Sequence, residues 1–291
     1  MESLLELNRL PEDCVSTILS FTSPIDVCRS SLVSSSFQLV ADSDSVWENL
    51  LPSDYKDIVS SSIVPLKFSS KKDLFLCLCN PIFIDDGRKS FKLEKSSGKK
   101  SYMLSARDLS ITWSDEPMYW NWVSSPESRF SEVAVLRTIC WLEIQGKITT
   151  KMLSPNTTYI AYLVLKISDR AYGLDLIPSE VSVEVGNQKS RNTVYLRRSQ
   201  DSKKQQLERL FFANRVQMLR SRVTEEDSRV PSERQDGWME IELGEFFNGQ
   251  NEEEVVIMSF KEVKGQHLKG GLTVEGIEVR PKQKIIGINT F

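Results

Sequence analysis

The second half of this chain is written with a period of two, and that patterning limits the fold more than any other feature of its 291 residues. Met239, Ile241 and Leu243 alternate with Glu240 and Glu242, which puts aliphatic groups on one face of a strand and carboxylates on the other. From Trp141 onward the same alternation recurs at Leu142, Ile144 and Ile148, and again at Val181, Val183 and Val185. Tyr159 to Ile167 is nearly all apolar, as in a strand covered on both faces. Leu272 and Val274 are in one phase and Ile277 and Val279 in the other, with Gly276 at the switch, which predicts a bulge. Most of these strands have no helix between them long enough for a crossover, so the pattern selects an antiparallel sandwich over a doubly wound fold. The exception is Lys203 to Arg222, where Leu207, Leu210, Phe211, Val216 and Leu219 predict an inserted helix of unassigned role.

The front of the chain follows a different period. Pro11 suits a first helical turn, Glu12 and Asp13 suit its positive end, and Val15, Ile18 and Leu19 fall at helical spacing. A second helix is expected from Ser23 as cap, with Pro24 in its first turn and Asp26 near its dipole. Short amphipathic helices continue to Leu51. A unit of about fifty residues buries too little surface to be robust alone, so its apolar stripe is better satisfied against another protein. Between Ser53 and Lys100 come serine runs, an expected short helix near Lys72 to Cys79, and a polar stretch, Lys95 to Lys100, read as a solvated loop. The chain thus divides into a helical module at 1–52, a connecting region at 53–100, a sandwich at 101–283 and a tail at 284–291.

Charge narrows the partners. Lys and Arg total 37 against 40 Asp and Glu, a formal charge of -3, so nothing draws the chain to nucleic acid or to an anionic membrane. The five cysteines, Cys14, Cys28, Cys77, Cys79 and Cys140, are odd in number and scattered, and read as reduced, buried thiols. Met1 to Leu10 carries Glu2 and Glu6 and has neither the basic region nor the apolar run of a secretory signal, and no segment is long enough to cross a bilayer. The expected setting is cytosol or nucleus, where the Asn156-Thr157-Thr158 sequon is incidental.

Catalytic and metal chemistry have few candidates. His267 is the sole histidine and lies in a Gly-Lys loop read as solvated; no serine sits in a nucleophile elbow and no phosphate-cradling loop is present. Cys77 and Cys79 lack the further ligands that zinc needs, and Glu252, Glu253 and Glu254 are adjacent and so point apart. No cofactor is implied. The aromatic cluster Trp113, Tyr119, Trp120 and Trp122 is more informative, because a sugar ring presents a C–H face and a rim of hydroxyls, and so wants a flat aromatic platform with polar groups around it. Trp113 and Trp120, joined by a turn containing Pro117 beside Asp115, Glu116 and Asn121, fit that description. Core packing is the competing reading, since Trp113 shares strand phase with Leu109 and Ile111.

Two family resemblances give these patterns meaning. Leu10-Pro11-Glu12-Asp13-Cys14-Val15, then Ile18-Leu19, Asp26-Val27-Cys28, Val33 and Val46-Trp47 resemble the F-box pattern over Leu7 to Pro52. Arg107 to Trp122, Trp141 to Ile144, Gly146 to Ile148, Tyr159 to Leu165, Asp236 to Trp238, Leu243 to Phe247 and Gly276 to Pro281 resemble the Nictaba domain of phloem lectins over Ser101 to Lys282. The resemblance implies an α+β chain: a small helical F-box followed by a jelly-roll-like antiparallel β-sandwich. It implies that Leu10, Pro11, Ile18 and Leu19 enter the groove of a Skp-type adaptor and through it reach cullin, and that Trp113, Trp120 and Lys269 border N-acetylglucosamine oligomers or N-glycan cores on a glycoprotein target. The stretch from Gly173 to Gln235 is longer and more charged than in the simple lectins, so the shape of the site departs from theirs. A non-catalytic receptor of a ubiquitin ligase is the expectation; the rival readings are a sandwich that binds protein surfaces directly and a lectin without ligase partners.

Overall fold

The computed structural model describes residues 10–197, 230–249 and 253–283. The helix expected at Lys203 to Arg222 lies outside the described residues. The chain forms two compact units, residues 1–102 and 103–291, and passes from one to the other inside strand β3 (Lys100–Ser105). Among the described residues no helix is long and apolar enough to cross a membrane.

The first unit opens with α1 (Glu12–Ser20), α2 (Pro24–Ser30), α3 (Ser35–Ala41) and α4 (Asp44–Leu50). Ser23 caps α2 by accepting the Asp26 amide at 3.2 Å, with Pro24 next in the chain, as the spacing predicts. These helices close on Val15, Leu19, Val27, Val46 and Trp47, all buried. The unit does not stop at Leu51. Helices α5 (Tyr55–Ser60) and α6 (Lys71–Leu78) follow, and Phe75 meets Trp47 with ring centroids 5.1 Å apart. The connecting region therefore supplies the apolar surface that four short helices lack. After it come the antiparallel strands β1 (Ile82–Ile84) and β2 (Lys89–Leu93). In the stretch Lys95 to Lys100, expected as a solvated loop, Lys95, Ser96 and Ser97 are exposed as expected, but its end turns back onto the helices. Gly98 has φ +67°, and a Cβ there would stand 3.3 Å from the Leu50 carbonyl oxygen, while Lys100 is buried and pairs with Asp54 at 2.7 Å.

The second unit is a two-sheet antiparallel sandwich. One sheet runs β14 (Gly270–Pro281), β8 (Thr157–Tyr172), β12 (Met239–Asn248) and β11 (Ser232–Glu233), with β5 (Trp120–Val123) and β6 (Val133–Leu136) joined to β14. The other runs β10 (Gln188–Val194), β9 (Ser179–Val185), β13 (Val255–Glu262), β7 (Leu142–Thr149) and β4 (Ser110–Ile111). The alternating aliphatics face inward: Ile144, Ile148, Val181, Val183, Val185, Ile241, Leu243 and Phe260 are buried. The bulge expected at Gly276 is present as a register shift between Val274 and Gly276 against β8, and a Cβ at Gly276 would overlap the Leu104 carbonyl oxygen. The outer face of β8 is covered by charge rather than by hydrocarbon. Arg280 lies 3.9 Å over the Tyr162 ring and donates to Glu240, while Arg234 donates to Glu240 at 2.6 Å and to the buried Glu278 at 2.7 Å. That network explains how Glu240, read from its phase as outward-facing, is only 13% exposed at its side chain.

The cysteines depart from expectation. All five are free, but Cys14, Cys28 and Cys140 are exposed, and Cys79 alone is fully buried, where burial raises its thiol to about 11. Apolar neighbours in sequence do not bury a residue that its helix, as at Cys14 and Cys28, or its loop, as at Cys140, turns outward.

Candidate functional site

Two surfaces carry the groups that could bind something. The first is the outer side of the short helices. A seven- or nine-residue helix can turn only one stripe inward, so apolar residues beyond that stripe are left in water. Ile18 is 52% exposed, Phe21 87%, Leu32 85% and Leu39 70%, with Leu10, Ile25 and Val33 also exposed. Pro11 stands at the start of α1, exposed beside Leu10. Leu19, one residue beyond Ile18, points the other way and is 2% exposed, so it holds the bundle together. A cluster of large apolar groups on so small a unit marks a protein interface.

The second surface is an aromatic corner between β4 and β5. Thr112 still belongs to the sheet, its amide donating to Glu143 at 3.0 Å, but at Trp113 the chain turns with φ +57°, a conformation that bulky residues avoid. The turn is tied by the Ser114 amide to the Ile111 carbonyl and by the Tyr119 and Trp120 amides to Glu116. Two indoles hold it from below: Trp120 donates from Nε1 to the Thr112 carbonyl and Trp122 from Nε1 to the Ser114 carbonyl, each at 3.0 Å. Arg107 lies 3.7 Å over the Trp122 ring and pairs with Glu132. Trp113 is the residue this bracing presents. It is 45% exposed, rests against Tyr119 with centroids 5.1 Å apart, and has exposed Asp115, Glu116 and Met118 around it. No hydrogen bond to its indole N–H occurs among the described residues.

The structure separates the three residues expected to border a ligand. Trp113 is at the surface, because the left-handed turn takes it out of the strand phase that would have buried it. Trp120 is 2% exposed and belongs to the core. Lys269 is fully buried, paired with Glu262 and donating to the carbonyls of Cys140 at 2.6 Å and His267 at 3.2 Å. It ties a loop into the sandwich and is not the solvated side chain its Gly-Lys surroundings suggest. His267 is half-buried rather than solvated, with Nε2 2.9 Å from the Gly173 carbonyl. Sequence reasoning missed Trp141, 45% exposed, whose Nε1 donates to Glu143 at 3.1 Å. Its position just before a strand on the outward phase was the available signal. Among the described residues no group of three His, Cys, Asp or Glu is placed to hold a metal.

Comparison with known proteins matches both halves. Residues 99–281 match the family described as phloem protein 2, and residues 7–53 the family described as F-box-like. The chain is 56% identical over 279 residues to the F-box protein PP2-B15 of Arabidopsis thaliana, covering 94% of this chain and 96% of that one. It is 53% identical to F-box protein PP2-B13, covering 94% and 98%, and 52% identical to F-box protein VBF, covering 94% and 99%, both of Arabidopsis thaliana. An F-box implies a Skp-type adaptor as partner within an SCF complex, and the exposed apolar side of the short helices is the surface such a partner would need. Helical module, sandwich and relatives agree that the chain belongs to the F-box proteins that carry a phloem protein 2 domain.

Proposed function

We propose that this chain is the substrate receptor of an SCF-type ubiquitin ligase and that its sandwich holds the target through a glycan, of N-acetylglucosamine or N-glycan type. The short helices bind the Skp-type adaptor, and cullin through it, by burying Leu10, Pro11 and Ile18 in a groove; each large aliphatic side chain fully buried there is worth about 1.5–3 kcal/mol. The receptor makes and breaks no bond itself. Its work is positioning: a target lysine held near a charged conjugating enzyme reacts at a high effective concentration. The place of action is the cytosol or nucleus.

The observation that carries the glycan reading is Trp113, held exposed in a strained turn that two further indoles brace. A sugar's C–H face stacks on such a ring while Asp115, Glu116 and the unengaged indole N–H meet its hydroxyls. Buried Trp120 holds the turn through its bond to the Thr112 carbonyl instead of touching the ligand. A glycan array probed with the full chain in complex with its adaptor tests this. The expected result is a set of bound N-acetylglucosamine-containing glycans that is lost with Trp113→Ala. An empty array from folded protein would overturn glycan recognition and leave the exposed Trp113 and Met118 as a contact for a protein surface.

A further inference from the structure

The antiparallel order of the sandwich gathers four connections at one end: 112–119 from β4 to β5, 137–141 from β6 to β7, 173–178 from β8 to β9 and 263–269 from β13 to β14. The aromatic corner is the first of them, and the other three continue its surface. Trp113 rests on Tyr119, whose carbonyl accepts the Arg137 amide at 2.8 Å, while Arg137 Nη1 donates to the Pro117 carbonyl at 3.1 Å. The Arg137 carbonyl in turn accepts the Tyr172 hydroxyl at 3.2 Å. Ile139 and Lys269 exchange both backbone hydrogen bonds, at 2.9 and 2.8 Å. Gly173, at φ +74°, lies so close that a Cβ there would stand 2.2 Å from the Leu268 carbonyl oxygen. Direct contacts therefore run from the corner to all three other connections.

These connections turn polar groups inward and hydrocarbon outward. Glu262 accepts the Gly265 amide at 2.9 Å and pairs with buried Lys269, which donates to the Cys140 and His267 carbonyls, and His267 Nε2 sits 2.9 Å from the Gly173 carbonyl. A buried ion pair adds little stability after desolvation, but this one, bonded to loop backbone at several points, fixes a single arrangement of the connections. On the outside stand Leu176, 66% exposed, and Leu268, 58%, with Met118, Trp141 and Tyr172 also exposed. An aliphatic tip offers a sugar neither a flat face nor a hydrogen bond, whereas it packs well on the apolar side chains of a polypeptide. Large apolar groups gathered at one end of a domain mark a contact surface. The charges on the three further connections are engaged: Lys264 pairs with Glu180, Lys269 with Glu262, Arg137 bonds the Pro117 carbonyl, and Asp175 has a partner of its own. A strongly charged segment therefore finds little there to pair with.

A glycan on a target reaches the corner with polypeptide attached to its reducing end, and the surface continuous with the corner is the one that polypeptide meets. We propose that this loop end docks an apolar stretch of the target polypeptide beside the glycan attachment point, through Met118, Tyr172, Leu176 and Leu268. The inference rests on the glycan reading of Trp113 and adds a second determinant to it. A sugar alone cannot tell apart the many proteins that carry it, whereas sugar and flanking peptide read together select among them.

Calorimetric titration of the full chain in its adaptor complex decides it, with three probes that carry the same N-acetylglucosamine dimer: the free dimer, the dimer on an asparagine flanked by leucines, and the dimer on an asparagine flanked by serines. The leucine-flanked glycopeptide is expected to bind about tenfold more tightly than the other two. Leu268→Asp and Leu176→Asp, both at exposed positions, should remove that advantage and leave the free dimer unaffected, whereas Trp113→Ala should weaken all three. Equal binding of the two glycopeptides by the wild-type chain overturns the docking surface and spares the proposed function, as does a leucine advantage that persists in both variants. Failure of the free dimer and both glycopeptides to bind folded wild-type protein overturns glycan recognition and this inference with it. Sedimentation showing self-association of the chain that Leu268→Asp abolishes would assign the patch to a second copy and overturn the target assignment.

Discussion

At the scale of single residues, three indoles within ten positions have divided their labour. Trp113 is presented, while Trp120 and Trp122 hold the turn that presents it. Trp120→Ala should cost about 3–5 kcal/mol in denaturant unfolding, as for other large buried aromatics, and Trp113→Ala about 1 kcal/mol or less. Equal losses would contradict the assignment. Glu275 poses a different question. It is fully buried, its Oε1 accepts the Arg129 amide at 2.8 Å, and its Oε2 has no hydrogen-bond partner. Burial pushes its carboxyl above the ordinary value of 4.5, the Arg129 amide and charge opposing without prevailing. An acid whose folded value is raised costs stability as pH climbs past its unfolded value, because the unfolded chain ionises first. Glu275→Gln should therefore raise the thermal midpoint at neutral pH, with the gain fading below pH 4.5. Midpoints measured at neutral and acid pH check this; a gain independent of pH would assign the effect to packing. Asp236 behaves in the opposite sense. Burial alone would raise it, but Arg129 and Arg234 more than offset that and hold it below 3.8, so its stabilising contribution is lost as pH falls through that lowered value.

At the scale of elements, α1 shows what a short amphipathic helix does with two adjacent aliphatics. Ile18→Asp should abolish adaptor binding in pull-downs while circular dichroism of the chain stays unchanged. Leu19→Asp should collapse the helical unit, since it places a carboxylate at a core position that is 2% exposed. Loss of helicity in Ile18→Asp would contradict the division of faces. The sheets were the most legible part of the chain, because a period of two bounded by turns has few solutions: the strands through Leu142, Val181 and Met239 and the bulge at Gly276 are all set by phase. The site was less legible. Trp113 carries the same phase signal as Leu109 and Ile111, and only the positive φ of the turn, invisible in sequence spacing, takes it to the surface. Lys269 likewise sits among glycines and polar residues that read as solvent, yet a long-range acid, Glu262, and the carbonyl of Cys140 draw it inside. Trp47 shows the reverse, since the short helix expected near Lys72 to Cys79 is present at Lys71–Leu78 and its Phe75 packs on the indole, a pairing that spacing alone does not specify.

At the scale of the whole molecule, the chain joins an F-box-like helical unit to a phloem protein 2 sandwich, and the proposed receptor role needs both on one polypeptide. Joined, the two units gain a bridging property that neither can show in isolation. Beads carrying an N-acetylglucosamine oligomer, incubated with the full chain and purified Skp-type adaptor, measure it directly. The account predicts that the adaptor is retained only when the chain is present, that Ile18→Asp keeps the chain on the beads and releases the adaptor, and that Trp113→Ala releases both. Adaptor retained by Ile18→Asp, or wild-type chain that binds adaptor yet passes through every glycan resin, would contradict it.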